Sequence, residues 1–210
     1  PTPSSSRLLI MKRRGPYAKG TAKRAEILAT ALDVIALNGC RKASNREIAA
    51  RVGLSQAGLM HYFESREELY QEVLRARDER DLEQYYRPNP TFAGFLAVID
   101  HNTQVPGLVR LYVEFSTEAS LPCPAAHQFF VQRYAWVRGL LTEAIERAQD
   151  AGELGPAIDR DEAARLIIAA ADGLQVQWLL DPSIDMTAHL RRLWELLGVS
   201  SMITASAPVH

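Results

Sequence analysis

Ile48-Ala49-Ala50-Arg51-Val52-Gly53-Leu54-Ser55-Gln56-Ala57-Gly58-Leu59-Met60-His61-Tyr62-Phe63, followed by Glu64-Ser65-Arg66-Glu67-Glu68-Leu69, carries two short helix signals joined by one glycine turn. Ser44-x-x-Glu47 is a capping box that opens the first helix, whose apolar face holds Ile48, Ala49 and Val52. Gly53 ends it, because the chain must turn there through a backbone conformation that costs other residues energy. Leu54 plugs the corner, and Ser55 caps a second helix predicted to run to about Phe63. A second capping box, Ser65-x-x-Glu68, starts the next helix. Two short helices with this turn form a helix-turn-helix, in which the second enters the DNA major groove.

Working outward, strand signals are scarce and apolar residues recur at three- and four-residue steps, which predicts an all-α chain. Upstream, Ile27, Leu28, Ala31, Val34 and Ile35 mark one face of a helix starting after Thr21 and stopped at Asn38-Gly39. Downstream, a helix from Ser65 reaches about Tyr86, where Pro88 and Pro90 stop it. Five more helices are predicted at about 91–104, 107–119, 124–151, 160–180 and 185–197, with prolines between them. The organisation expected is a flexible basic arm over 1–20, a helix-turn-helix domain over 21–66 and a linking helix over 67–88. A ligand-binding and dimerisation domain follows over 89–200, then a tail over 201–210. Met11 with the following Lys-Arg-Arg-Gly has the form of a start site.

Net charge is −1, but its distribution is uneven. Residues 1–66 hold 12 Lys and Arg against 4 acids, and the remainder holds 12 against 21. A basic head on an acidic body is the footprint of nucleic-acid binding at one end. Apolar runs are too short for a membrane span or a signal segment, and two cysteines make no disulfide framework, so the expected setting is cytoplasmic.

The quoted stretch resembles the N-terminal signature of the TetR family of repressors over roughly Lys23 to Glu72, through the spacing of Gly53, Leu59, Tyr62, Phe63 and Leu69. Gly58 stands where the family commonly has Thr, and Met60 where it commonly has Tyr. The resemblance implies operator binding by a homodimer. With residue chemistry it assigns base contacts to Gln56 and Ala57 and a guanine or phosphate contact to His61, with Gly58 allowing close approach. Phosphate contacts go to Tyr62 and to Ser44, Arg46 and Arg66 at helix starts, and Ser55, the cap of the second helix, is counted with the DNA-binding residues. Lys12, Arg13, Arg14 and Lys19 form a basic arm that either enters a minor groove or is solvated.

In the acidic part, residues 163–180 carry only two charges, Arg165 and Asp172. A helix apolar all round is buried all round. It is expected to pack on its own domain and on a second subunit through Ala163, Leu166, Ala170 and Leu174, joined by Leu190, Leu193, Trp194 and Leu197. Aromatics and scattered polar groups between 91 and 180 fit either an aromatic core or a ligand pocket. The expected lining is Phe95, Ile99, Tyr112, Phe115, Trp136, Asp172 and Gln175, with Asp172 either bonding the ligand, orienting a partner such as Gln175, or only capping local structure. The expected ligand is a small, mainly apolar organic inducer. Its signal would pass through the helix after Ser65, or through contact of the first helix with the one near 107–119.

An enzyme is the competing class. Cys123-Pro-Ala-Ala-His127 and Asp100-His101 are isolated pairs, and neither completes a zinc site or a nucleophilic triad. No phosphate-binding glycine loop occurs. No cofactor is expected. A helical interaction module without DNA is the third class, and the basic head argues against it.

Overall fold

The computed structural model describes residues 16–38, 45–120 and 124–205. Among them there is no strand. The elements are α1 (Pro16–Asn38), α2 (Asn45–Arg51), α3 (Gln56–Met60), α4 (Arg66–Asp81), a π-helical turn (Leu82–Tyr86), α5 (Phe92–Asn102), α6 (Pro106–Ala119), α7 (Pro124–Asp150), α8 (Arg160–Leu180) and α9 (Met186–Ala205).

Three boundaries differ from expectation. α1 starts at Pro16, five residues before Thr21's expected helix, because proline suits a first helical turn and Gly20 does not stop a helix packed by its later face. α3 is five residues long, and His61 sits at its C-cap with its N–H bonded to the Leu59 carbonyl. α9 continues past Gly198 to Ala205, where a tail was expected. A further difference lies after Asp81. The Arg87 N–H reaches the Leu82 carbonyl at 2.8 Å, five residues back, so the helix ends in a wide turn. Such turns re-aim side chains and recur at functional sites.

Two cores result. In the first, Ile27, Ala31, Val34 and Ile35 of α1 meet Ile48, Leu59, Phe63, Leu69 and Val73, and also Leu108, Leu111 and Phe115 of α6. The second lies among α5, α7, α8 and α9, around Leu141, Ile145, Ala164, Ile167, Met186 and Leu190. The first core thus extends from the head into the body. α6 crosses α1 so closely that a β-carbon on Gly107 would stand 1.8 Å from the Ile35 carbonyl oxygen. No helix among the described residues is long and apolar enough to cross a membrane.

Candidate DNA-reading face and internal cavity

The turn between α2 and α3 is built locally. Gly53 takes φ of +69°, the left-handed region. The Leu54 N–H bonds the Ala49 carbonyl at 2.8 Å and the Gly53 N–H bonds that of Ala50 at 3.2 Å, the two bonds that close a Schellman turn. Ser55 Oγ accepts the Gly58 N–H at 2.9 Å, and Ser65 Oγ accepts that of Glu68 at 3.0 Å. Lys23 Nζ donates to the Val52 carbonyl at 2.6 Å, and Arg24 bonds Glu68 and Glu72 at 2.9 and 2.8 Å while lying over the Phe63 ring. Two of the head's basic residues therefore hold it together.

Gln56, Ala57, His61 and Arg46 are exposed, Gly58 and Tyr62 half-buried. Arg66 is exposed, and its Nε donates to the Tyr70 hydroxyl at 2.8 Å. Ser44, Lys12, Arg13 and Arg14 lie outside the described residues, as does the side chain of Lys19.

A cavity of about 90 Å³ opens between α4, α5, α6, α7 and α8. Phe95, Ile99, Tyr112, Trp136, Asp172 and Gln175 line it. Phe115 does not. It lies in the first core, edge-on to Tyr70 at 6.5 Å and Phe130 at 5.8 Å, one helical turn past Tyr112 and on a face turned toward the head. Asp172 does not pair with Gln175, whose Nε2 donates to the Ala171 carbonyl at 3.4 Å. Asp172 instead accepts the hydroxyls of Tyr112 at 2.9 Å and Tyr134 at 2.7 Å.

The lining also holds four charged side chains that sequence reading passed over: Arg77, Asp78, Asp81 and Arg133. Arg133 binds Asp78 through two bonds of 2.7 and 2.8 Å and lies 4.6 Å from the Tyr112 ring centre. Arg77 is 5% exposed. It bonds Asn102 Oδ1, donates to the Leu108 carbonyl at 3.3 Å and faces Asp81 at 3.4 Å. His101 lies 3.8 Å from Asp81 and bonds the Tyr85 hydroxyl at 3.0 Å. A signal for the two acidic-arginine helix residues was present: Tyr70, Val73/Leu74, Arg77 and Asp81 follow one helical stripe, so Arg77 and Asp81 continue a buried face. Arg133 left no such trace.

Burial sets the electrostatics. It raises the carboxyl of Asp172 above the ordinary range, against the two phenols and Arg133, and likewise that of Asp81, against Arg77 and His101. Tyr134 is pushed up to about 12 by burial and by Asp172. Burial works against the charge of Arg133, yet Asp78 outweighs it and the net shift is upward. For Arg77 burial prevails over Asp81 and Asp78, and the shift is downward.

On the proposed dimer face, Ala163 and Leu190 are fully inside their own core, so neither is available to a partner. Leu166 is exposed, and Ala170, Leu174, Leu193, Trp194 and Leu197 are half-buried. Trp194 stacks on Phe92 at 4.2 Å. Val176 and Leu180 of α8 and Leu196 of α9, outside the expected set, are also exposed. No group of three or more His, Cys, Asp or Glu among the described residues is placed to hold a metal.

Comparison with known proteins matches residues 27–73 to the model of bacterial regulatory proteins of the tetR family, and residues 93–196 to that of the C-terminal part of BetI-type transcriptional repressors. The HTH-type transcriptional regulator UidR of Escherichia coli strain K12 is 24% identical over 155 residues, covering 72% of this chain and 79% of UidR. A putative transcriptional regulator from Saccharomonospora viridis, solved in complex with choline, is 23% identical with a TM-score of 0.62, over 83% of this chain and 94% of that one. The FadR repressor of Thermus thermophilus, solved in complex with lauroyl-CoA, is 16% identical with a TM-score of 0.57, over 89% and 98%.

Proposed function

The chain belongs to the TetR family of DNA-binding transcriptional regulators, and from that premise we propose a dimeric repressor released from a palindromic operator by a small organic molecule held in the α4–α8 cavity. One observation carries the reading. α4 leaves the head at the Ser65 cap, next to the recognition segment, and its other end supplies Arg77, Asp78 and Asp81 to the cavity. A molecule that repositions those side chains repositions the helix on which the head is mounted.

Dimerisation rests on the outer face of α8 and α9. Leu166, Val176, Leu180 and Leu196 are exposed there, next to half-buried Ala170, Leu174, Leu193 and Leu197. Large apolar side chains left exposed on two adjacent helices mark an association surface. Two recognition helices one DNA turn apart, about 34–36 Å, then read an inverted repeat. Gln56, Ala57 and His61 carry the base contacts, and Arg46, Tyr62 and Arg66 those to phosphate. The choline and lauroyl-CoA complexes of similar folds hold very different molecules, so the ligand must be read from this cavity's own side chains.

The test is operator binding with and without ligand. Light scattering should give twice the 23.4 kDa of one chain. Gel shift on the DNA flanking the gene should show a complex that ligand dissolves. A typical coupling of about 1–3 kcal/mol weakens DNA binding roughly 5- to 150-fold, and by reciprocity operator DNA weakens ligand binding by the same factor. Equal ligand affinity with and without operator would refute the inducer role of that ligand.

A further inference from the structure

We propose that the cavity receives an organic cation, a protonated amine on a compact apolar body, with Asp172 as its counter-ion. This rests on the ligand-pocket reading above and adds the ligand's charge and hydrogen-bonding type.

The lining contains three carboxylates, Asp78, Asp81 and Asp172, against two guanidiniums, Arg77 and Arg133. Both guanidiniums already face carboxylates, although Arg77 Nε, buried 3.4 Å from Asp81, makes no hydrogen bond. Arg133 holds Asp78 in two short bonds, and Arg77 faces Asp81 while bonding Asn102 and the Leu108 carbonyl. His101 adds its ring to the Asp81 side. Asp172 is the carboxylate left over. Among the described residues its hydrogen bonds come from two phenols, and no cation forms an ion pair with it. Arg133 acts on Asp172 from a distance while bonded to Asp78, so the desolvated carboxylate is only partly compensated, and a cation arriving beside it relieves that cost.

The cation's type follows from counting hydrogens. Tyr112 and Tyr134 each have one hydroxyl hydrogen, and their oxygens lie 3.0 Å apart with Asp172 bridging them. The carboxylate can accept about four bonds and each phenol oxygen about two, so this cluster has acceptors in excess and hydrogens in deficit. An N–H donor fills that deficit, whereas a quaternary ammonium has no hydrogen to give. Phe95, Tyr86 and Trp136 add aromatic surface, to which cations are drawn, and Ile99, Val137 and Ile168 add apolar wall for the body of the molecule.

An anion meets the opposite conditions. To reach Arg133 it must displace Asp78 from both bonds, and it then faces Asp172. A surface groove of about 310 Å³ shares Asp78, Leu82, Arg133 and Trp136 with the cavity, and Trp136 is 39% exposed. The Arg133–Asp78 pair and the Trp136 ring form the wall between the two spaces.

Calorimetric titration of the full-length protein with phenethylamine, its neutral counterpart phenethyl alcohol and the anion phenylacetate tests the assignment. These probes share a ring and differ in the charged end. Phenethylamine should bind at least about tenfold tighter than the alcohol, the equivalent of about 1.4 kcal/mol, and phenylacetate weakest. Asp172→Asn should bring the amine down to the affinity of the alcohol. Equal affinities for amine and alcohol in the unmodified protein would overturn the charge assignment and leave an apolar ligand pocket. Tightest binding of phenylacetate would overturn it in favour of Arg133, and binding of none of the three would overturn it outright. The unmodified protein decides the matter even if the Asp172 variant fails to fold. Loss of the regulator reading has its own signature, namely failure of the ligand-free protein to bind the flanking DNA.

Discussion

The recognition turn and the cavity use polar groups in opposite ways. Around the turn the bonds are local: Ser55 to Gly58, Ser65 to Glu68, Gly53 to Ala50. The side chains proposed to read bases, Gln56, Ala57 and His61, stand outside that scaffold and are exposed. In the cavity the bonds join distant helices, with partners 55 residues apart for Arg133–Asp78, 60 for Tyr112–Asp172 and 25 for Arg77–Asn102. The difference separates two kinds of mutational consequence. A side chain at the turn can change affinity while the fold stands, but one in the cavity takes part in holding α4, α6, α7 and α8 together.

The largest expected effect is on stability. Arg133→Ala leaves Asp78 without its counter-charge in a mostly buried place, and removing one member of such a pair costs about 3–5 kcal/mol. Urea unfolding of the single variants and of the Arg133→Ala/Asp78→Ala double variant measures it. The double variant should lose less than the sum of the singles, since it leaves neither charge alone. Strict additivity would show that the pair is solvated and that the cavity is not a structural junction.

Gly107→Ala comes next. The added β-carbon meets the backbone of α1 at 1.8 Å, and neither helix has a flexible end to yield there. Overpacking of this kind costs about 1–3 kcal/mol. Because the contact joins head to body, operator affinity should fall together with the melting temperature. A variant as stable as the parent would show that α1 and α6 slide freely, and α4 alone would then carry the signal.

At the turn the expectation reverses. Gln56→Ala should cost roughly 1–3 kcal/mol of operator affinity and relax preference at one base position. The melting temperature should not change, because Gln56 is exposed and supports nothing. Fluorescence anisotropy on operator variants and a thermal melt read the two quantities separately. A parallel fall in both would erase the contrast between turn and cavity.

The same contrast explains what the sequence disclosed. Glycine, serine caps and apolar spacing act within a few residues, so the helix order and the turn at Gly53 were legible at once. The cavity was legible where an apolar or aromatic stripe ran along one helix, as for Phe95 and Ile99 of α5. Asp172 was noticed because it interrupts an apolar helix. Arg133 and Asp78 gave no such signal: each sits among charged or polar neighbours, and only packing of α4 against α7 makes them a pair. Phe115 misled because aromatic type alone cannot tell whether a residue of α6 reaches the cavity, as Tyr112 does, or stays inside the first core that both share. Ala163 and Leu190 misled in the same way, since an apolar residue on an apolar helix can face its own core or a partner.

The smallest effect is the most discriminating, and it is a gain. Burial raises the Asp172 carboxyl, so the folded chain holds this proton more tightly than the unfolded chain does. A group shifted in that direction contributes stability below its ordinary value of 3.8, and the contribution is lost as pH rises through the folded value. Above that window the charged carboxylate opposes folding. Asp81 is shifted the same way and adds to the same trend. The groups facing Asp172 are Tyr112 of α6 and Tyr134 and Arg133 of α7, with Arg77, Asp78 and Asp81 of α4 across the cavity. The phenols remain protonated through neutral pH because burial moves both upward, so the carboxyl is the group that titrates. Asp172→Asn keeps the shape and an acceptor oxygen but cannot ionise. It should therefore raise the melting temperature of the ligand-free protein at pH 8, and this advantage should shrink steadily as pH is lowered toward 4. A melt series across that range measures it. If the variant is instead less stable at pH 8, the two phenol bonds outweigh the cost of the buried charge, and Asp172 is held in place for the fold rather than kept waiting for a cation.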